Sequence, residues 1–441
     1  MNKKKMKILV LYRSASRKKR NTIEEHLWCF KKYSSQHAYH YVNVLTTIPA
    51  YLQYVQYDGI IFHYTFCGTK VTGIPGKWEN QIKGASSLKG YKVAIPQDEY
   101  DGTGRLCELY RTAGVKTVFT CFEKKEDYLK AYPPGETGVE HYIPVFTGYI
   151  DEENAARYET MTKPYAERPI DIGYRARKLP YYFGKHGQLK YEISVEFQKV
   201  LKGTDFVFDI SNTGDKYETF LGNKWYEFLL SCKATLGCMG GSSLLDRDGE
   251  FKQCVNDYIQ AHPEASFNEV EEHCFKGHDF NIDGSAISPR HFEAAITKTL
   301  QVLVEGNYAG IFKPDVHFIE LKRDFSNIKE VLSKLKDVAY CQNIIDNTYE
   351  EIVKSGKYTY RSFSETVLSH ISRYKPNINT NTFRNTFFFK LIGTWLTIRE
   401  TIIMMLLAGI GPLLEELYKT NLANKIRKNK RLYQFLSRYL P

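Results

Sequence analysis

The first 20 residues contain no acid, the nine cysteines fall into no disulfide-like spacing, and no apolar run reaches the roughly 20 residues a membrane-spanning helix needs. Each absence excludes something. The cysteines, at 29, 67, 107, 121, 232, 238, 254, 274 and 341, follow no secretory signal, which argues against a secreted disulfide scaffold and for a reducing cytoplasm. "EEHCFKGHDF" gathers His273, Cys274 and His278 but lacks the second ligand pair of a zinc site. The apolar stretch from Thr401 to Leu414 is 14 residues long, and Arg399 and Glu400 break it upstream. A spanning helix is thereby excluded, leaving a helix that lies in a membrane interface, packs on a partner or closes the core.

The net charge of +11 is uneven. Residues 1–20 carry nine Lys or Arg, residues 384–441 carry ten against three Glu, and the body between them is left at −5. A basic nucleic-acid cleft is not expected of such a body. Basic ends suit an anionic membrane surface, unless both are simply solvated.

At 441 residues the chain exceeds one ordinary core, and 43% hydrophobic with 25% charged residues is the composition of a folded protein. Strand-like runs at 6–13, 57–66, 91–100, 115–122 and 139–150 alternate with helical patterns such as "NTIEEHLWCFKKY". That alternation predicts a parallel sheet covered by helices. "DEENAARYETMTKPYAERP" reads as a connection, after which "IDIGYRARKLPYY", "TDFVFDIS" and "HFEAAITKTLQVLVEG" begin the pattern again. The fold expected is α/β, two Rossmann-like domains facing across a cleft, with a helical, basic C-terminal extension. The boundaries drawn are 1–155, a linker at 156–169, 170–375, and 376–441.

In such folds ligands bind at the carboxyl ends of the strands. "SPRHFEAAI" opens a helix with Ser288 as cap and Pro289 in its first turn, placing Glu293 near the cleft mouth. Its carboxylate can accept hydrogen bonds from a sugar diol, or merely favour the helix dipole. Arg175 and Arg177, ending the first strand of the second domain, suit a pyrophosphate or a solvated turn. Arg290 and Lys298 offer the same charge from the following helix. "CMGGSSLLDRDGE" supplies close backbone approach at Gly241 and Ser242, with Asp246 and Asp248 as sugar contacts or as an ordinary turn. Asp98 and Glu99 of "VAIPQDEY", with His63 of "IIFHY", are the candidates for a base, or strand-end residues satisfied by neighbouring backbone.

Residues 288–337, "SPRHFEAAITKTLQVLVEGNYAGIFKPDVHFIELKRDFSNIKEVLSKLKD", resemble the donor half of bacterial GT-B glycosyltransferases with a CgeB-like, group-1 type C-terminal domain. "IDIGYRARKLPYYFGKHGQ", "GNKWYEFLLSCKATLGCMGGSSLLDRDGE" and "SGKYTYRSF" extend the resemblance over about 170 to 365. The resemblance implies Glu293 on the ribose of a nucleotide sugar and Tyr308, Ala309 and Gly310 along the diphosphate or sugar. It further implies cationic side chains and helix N-termini, with no essential metal or cofactor, at the leaving group. Retaining members carry a second glutamate eight positions earlier, where this chain has Ser285, so a retaining mechanism does not carry over. The implied function is sugar transfer from a nucleotide-diphosphate sugar to an envelope glycan or lipid-linked acceptor, peripheral to the inner face of the cell membrane. A nucleotide-sugar epimerase and a non-catalytic glycan-binding protein are the alternatives.

Overall fold

A computed structural model describes residues 5–14, 21–45, 47–68, 76–213, 220 and 222–418. The first sheet contains β1 (Lys7–Tyr12), β2 (Ala38–Asn43), β3 (Gln56–Phe62), β4 (Lys89–Ala94), β5 (Thr117–Thr120) and β6 (His141–Pro144). Its order is β2-β1-β3-β4-β5-β6, and every pairing is parallel, with Val10 opposite both Tyr41 and Ile61. All six residues of β1, "KILVLY", are buried, as befits a strand covered on both faces. The chain leaves β1 to one side for β2 and returns on the other for β3, so the switch point lies between β1 and β3.

The second sheet, β13-β12-β9-β7-β8, is also parallel throughout. It comprises β7 (Ile170–Arg175), β8 (Phe208–Ser211), β9 (Cys232–Gly237), β12 (Leu300–Val304) and β13 (Ile319–Leu321). Its switch point falls between β7 and β9. The two sheets make the α/β, two-domain architecture, followed by a helical C-terminal region. Arg168 anchors the start of the second domain: its buried guanidinium donates to the carbonyls of Leu229, Cys232 and Thr297 and to the Thr299 hydroxyl.

Between β9 and β12 a short antiparallel hairpin, β10 (Gly240–Ser242) with β11 (Gly284–Ala286), opens into a helical lobe. Gly241 is required there: at φ +112 a Cβ would stand 1.9 Å from the Gly284 carbonyl oxygen. In the lobe, Glu250–Ala261 and Phe267–Cys274 pack through Val255, Val270 and Phe275 and are joined by a Cys254–Cys274 disulfide. This pairing departs from the reading that the nine cysteines fall into no disulfide-like spacing. Residues 20 apart meet only because two helices fold back on one another, which spacing alone does not reveal. The lobe also accounts for the His-Cys-His group: Cys274 is bonded, His273 stacks on Tyr258 and His278 lies against Phe251.

The end of the chain returns to the first domain. Helix Tyr360–Tyr374 places Phe363, Val367 and Ile371 in one core with Ile8, Val10 and Ile61, so the boundary drawn at 375 follows a helix that belongs to the first sheet. In helix Phe383–Tyr418, Ile392 and Leu396 enter the other core of that domain, and Phe389 stacks on His40 at 3.8 Å. Asp58, 2% exposed, accepts from the Lys7 amide, the Lys375 ammonium at 2.6 Å and the Thr380 hydroxyl. Among the described residues no helix is long and apolar enough to cross a membrane.

Removing the Asp58 carboxylate takes the acceptor from the buried Lys7 amide and Thr380 hydroxyl and from the part-exposed Lys375 ammonium, so Asp58→Ala is expected to cost about 1–3 kcal/mol in urea unfolding. A chain ending at residue 375 is expected to lose cooperative unfolding of the first domain. An unchanged midpoint in either variant would show that the C-terminal helices are not part of the core.

Candidate functional site

The carboxyl ends of both sheets open onto one cleft of about 490 Å³, walled by Lys124, Glu126 and Lys130 from the first domain and by His186, Ser243, Asn281, Glu305, Asn307 and Arg323 from the second. A narrow recess beside it, over β7, β9 and β12, is lined by Tyr174, Lys190, Trp225, Thr235, Arg290 and His291. Three cations serve this region. Burial pulls the Lys190 ammonium below its ordinary range, and the charges of Arg290, Asp98 and Arg177 also act on it. Arg290 lies over the Trp225 ring at 4.9 Å and donates to the Arg175 carbonyl. Arg177 lies just past β7, bridged through its backbone to Thr213.

Glu293 is buried in helix Pro289–Ile296 and accepts from the Trp225 indole N–H at 2.6 Å. That bond fixes the carboxylate beside the recess. Glu25, from the first helix of the other domain, approaches the same region and accepts from the Asn154 amide at 2.7 Å. Burial, with the negative charges of Asp151 and Glu293, pushes its carboxyl up to about 8.

On the facing domain Asp98 is exposed at the end of β4 with φ +50, and the Tyr100 hydroxyl donates to it at 2.6 Å. Holding a non-glycine residue in this left-handed conformation has an energetic cost, and such costs concentrate at working sites. The other two base candidates are corrected by the structure. Glu99, 2% exposed, accepts from the Thr120 hydroxyl and from the Cys121 amide at 2.5 Å. His63 is fully buried, its ring bonded to Thr65 and to His26 at 2.9 Å, and burial lowers its pKa well below the usual value. Neither reaches the cleft.

Several expected donor contacts also lie elsewhere. The Arg175 guanidinium staples β7 to β8, donating to the Tyr174 and Asp209 carbonyls and pairing with the Asp209 carboxylate at 2.7 Å. It packs on Phe220 and Phe228 and has little left for a pyrophosphate. Lys298 sits at the amino end of β12, opposite the cleft, 4.1 Å from the Tyr349 ring centre and 3.8 Å from Glu159. Asp246 caps the helix at Glu250 by accepting from the Gly249 and Lys252 amides, and Asp248 lies against Gly104 of the first domain. Ser242 does stand in the cleft lining, but its buried hydroxyl is taken up by the Phe183 and Leu244 carbonyls, while Gly241 serves the hairpin. Tyr308 is fully buried with its hydroxyl on the Val304 carbonyl at 2.6 Å. Tyr308, Ala309 and Gly310 all have positive φ, and the cleft wall is formed by Glu305, Gly306 and Asn307 instead.

The helix N-terminus at Gly184 is likewise engaged. The Lys185 amide donates to Asp279 at 2.9 Å and the His186 amide to Ser243 at 3.1 Å. An anion here is therefore met by side-chain cations more than by helix amides. Sequence reasoning passed over Lys190; the available signal was its position one turn beyond His186 in the helix following the first strand of the domain.

No family model matches the chain, and no curated protein matches it. Among solved structures it is similar to HepE from Anabaena in complex with UDP and glucose, at 11% identity over 83% of this chain and 100% of that chain, with a TM-score of 0.44. It is also similar to a sucrose-phosphate synthase from Thermosynechococcus elongatus, at 8% identity over 84% and 99%, with a TM-score of 0.46. A third is the beta-glucosyltransferase of T4 phage, at 10% identity over 83% and 99%, with a TM-score of 0.46. Likeness at this level follows the path of the chain and assigns no chemistry.

The raised Glu25 carboxyl makes stability depend on pH. Its proton is retained on folding while the unfolded chain ionises, so its contribution is full below pH about 4.5 and is lost as pH climbs to about 8. Glu25→Gln is expected to raise the urea midpoint at pH 8 and leave it unchanged at pH 4; an equal effect at both pH values would exclude this origin.

Proposed function

We propose that the protein is a glycosyltransferase that moves a sugar from a nucleotide-diphosphate sugar to a hydroxyl acceptor. The observation that supports this reading is the convergence of Arg177, Lys190 and Arg290 at the carboxyl end of β7, beside Glu293 and opposite Asp98. Glu293 takes the ribose diol. The three cations take the diphosphate, whose charge rises as it leaves, so they act most strongly in the transition state and no metal is needed there. Asp98 removes the acceptor hydroxyl proton. The oxygen then bonds to the anomeric carbon, the carbon–oxygen bond to the diphosphate breaks, and its electron pair stays on the diphosphate. A single base of this kind gives inversion.

The acceptor proposed is an envelope glycan or a lipid-linked sugar, reached from the inner face of the membrane. In support, the outward face of helix Phe383–Tyr418 exposes Phe387, Leu391, Trp395, Ile398, Ile402 and Met405 at helical spacing, with ten basic residues in 384–441. The strongly basic segment 419–441 lies outside the described residues.

With a panel of nucleotide sugars, Glu293→Ala and Lys190→Gln are each expected to weaken donor binding by about 10- to 100-fold. Asp98→Asn should leave donor binding intact and slow transfer by about 10²- to 10⁴-fold. Chelator should not change the rate. Absence of any donor binding would defeat the reading, and an epimer formed without acceptor would assign the scaffold to epimerisation.

For the helix, Trp395→Ser with Ile398→Ser is expected to reduce sedimentation with anionic vesicles while preserving the unfolding midpoint. Unchanged sedimentation would remove the membrane from the proposal.

A further inference from the structure

Outside the donor region, two cations at the carboxyl end of the first sheet have buried nitrogens without a hydrogen-bond partner among the described residues. Lys77 begins helix Lys77–Ser86 and is 9% exposed, yet its ammonium nitrogen is buried without a hydrogen-bond partner among the described residues. Arg13 directly follows β1, and its buried Nε is likewise unpartnered. Among the described residues neither cation has a carboxylate in ion-pair contact. Burial, and then the positive charge of Arg13, pulls the Lys77 ammonium down to about 8, and burial also lowers Arg13.

Among the described residues the buried Lys77 ammonium has no counter-charge and the half-buried Arg13 adds like charge beside it, a combination that destabilises a fold. Other cations of the fold are satisfied: Lys375 meets Asp58, Lys32 meets Asp151, Lys252 meets Asp101, and the buried Arg168 guanidinium meets three carbonyls and a hydroxyl. The position is also particular. Arg13 follows β1, the Arg13 amide donates to Thr65 just past β3, and Lys77 opens the helix between β3 and β4. This is the switch point of the first sheet, where open parallel sheets place their ligands. The nearby ring pair, His26 and His63, is held neutral by burial and supplies no balancing charge.

We propose that Lys77 and Arg13 form an oxyanion subsite for a phosphate or carboxylate carried by the acceptor. The assignment to an acceptor rests on the transfer reading above; the anion site itself does not. It narrows the acceptor class to an anionic molecule whose charged group is anchored at the β1–β3 crevice, with the reacting hydroxyl directed toward Asp98. An anion here satisfies the orphaned donors, and Arg can present a bidentate fork to it.

The test is lysine-selective carbon-13 NMR of the full chain, with the Lys77 resonance identified by its loss in Lys77→Met. That variant removes a buried unpaired charge and is expected to fold. Inorganic phosphate, acetate and chloride are added at matched ionic strength. Phosphate or acetate is expected to raise the Lys77 titration midpoint by about one pH unit, and Arg13→Gln to reduce that rise. A larger response to phosphate than to acetate identifies a phosphate-bearing acceptor, and the reverse a carboxylate. No response, or the same response to chloride, overturns the subsite. Donor binding is measured on the same sample. If nucleotide sugar binds while Lys77 stays unmoved, the subsite falls and the transfer reading stands; if Lys77 responds and no nucleotide sugar binds, the transfer reading falls.

Discussion

Three backbone hydrogen bonds across the domain boundary set the geometry on which the candidate chemistry depends. Asp246 donates to the Tyr100 carbonyl, Gly102 donates to the Asp246 carbonyl, and Gly104 donates to the Arg247 carbonyl. They join the loop after β4 to the first turn of the helical lobe. Backbone pairing is directional and tolerates little displacement, so Asp98, two residues before Tyr100, is held at a fixed position opposite Lys190. The ion pairs Lys252–Asp101 and Lys124–Asp283 flank this strap. Their partly exposed groups add less than the backbone bonds do.

Charge is distributed according to the same division. The body as a whole is acidic, yet cations stand at the carboxyl ends of the strands: Arg177, Lys190 and Arg290 on one sheet, and on the other Lys77 with Arg13 of the basic N-terminal stretch. Carboxylates gather behind the cleft, where Glu25, Asp151 and Glu293 repel one another enough to keep Glu25 protonated near neutral pH. Of these carboxylates Asp151 is paired with Lys32, whereas Arg177, Lys190 and Arg290 stand where they can act on whatever enters the cleft.

Much of the architecture was legible because it follows from periodicity. Continuous apolar runs such as "KILVLY" announce buried parallel strands, and the restart at Ile170 announces a second sheet. The site was legible in part. Glu293 lies beside the recess, and Asp98 faces the cleft as its place after a strand suggested. Glu99 and His63 shared that sequence context but turn inward, because successive residues leave a strand toward opposite faces and only one direction meets the cleft. Lys298 misled for a related reason: a helix of eight residues carries the chain from the carboxyl end of the sheet back to its amino end. The disulfide and the return of Tyr360–Tyr374 to the first domain left no local pattern at all.

Residue order alone determined what depends on near neighbours: the alternation of strand and helix, the two-sheet organisation, the proline-led start of the helix holding Glu293, and the separation of basic ends from an acidic body; Ser288 stands at the cap position of that helix, but its side chain makes no capping hydrogen bond. Tertiary structure decided what depends on distant neighbours. It made Arg175 a staple, Asp246 a helix cap and the start of the last helix part of the first core. It also left the Lys77 ammonium and the Arg13 Nε buried without hydrogen-bond partners among the described residues. The physical reason is range: periodicity and capping act within a few residues, whereas burial, pairing and electrostatic environment are fixed only when segments hundreds of residues apart, such as Asp58 and Lys375, come into contact.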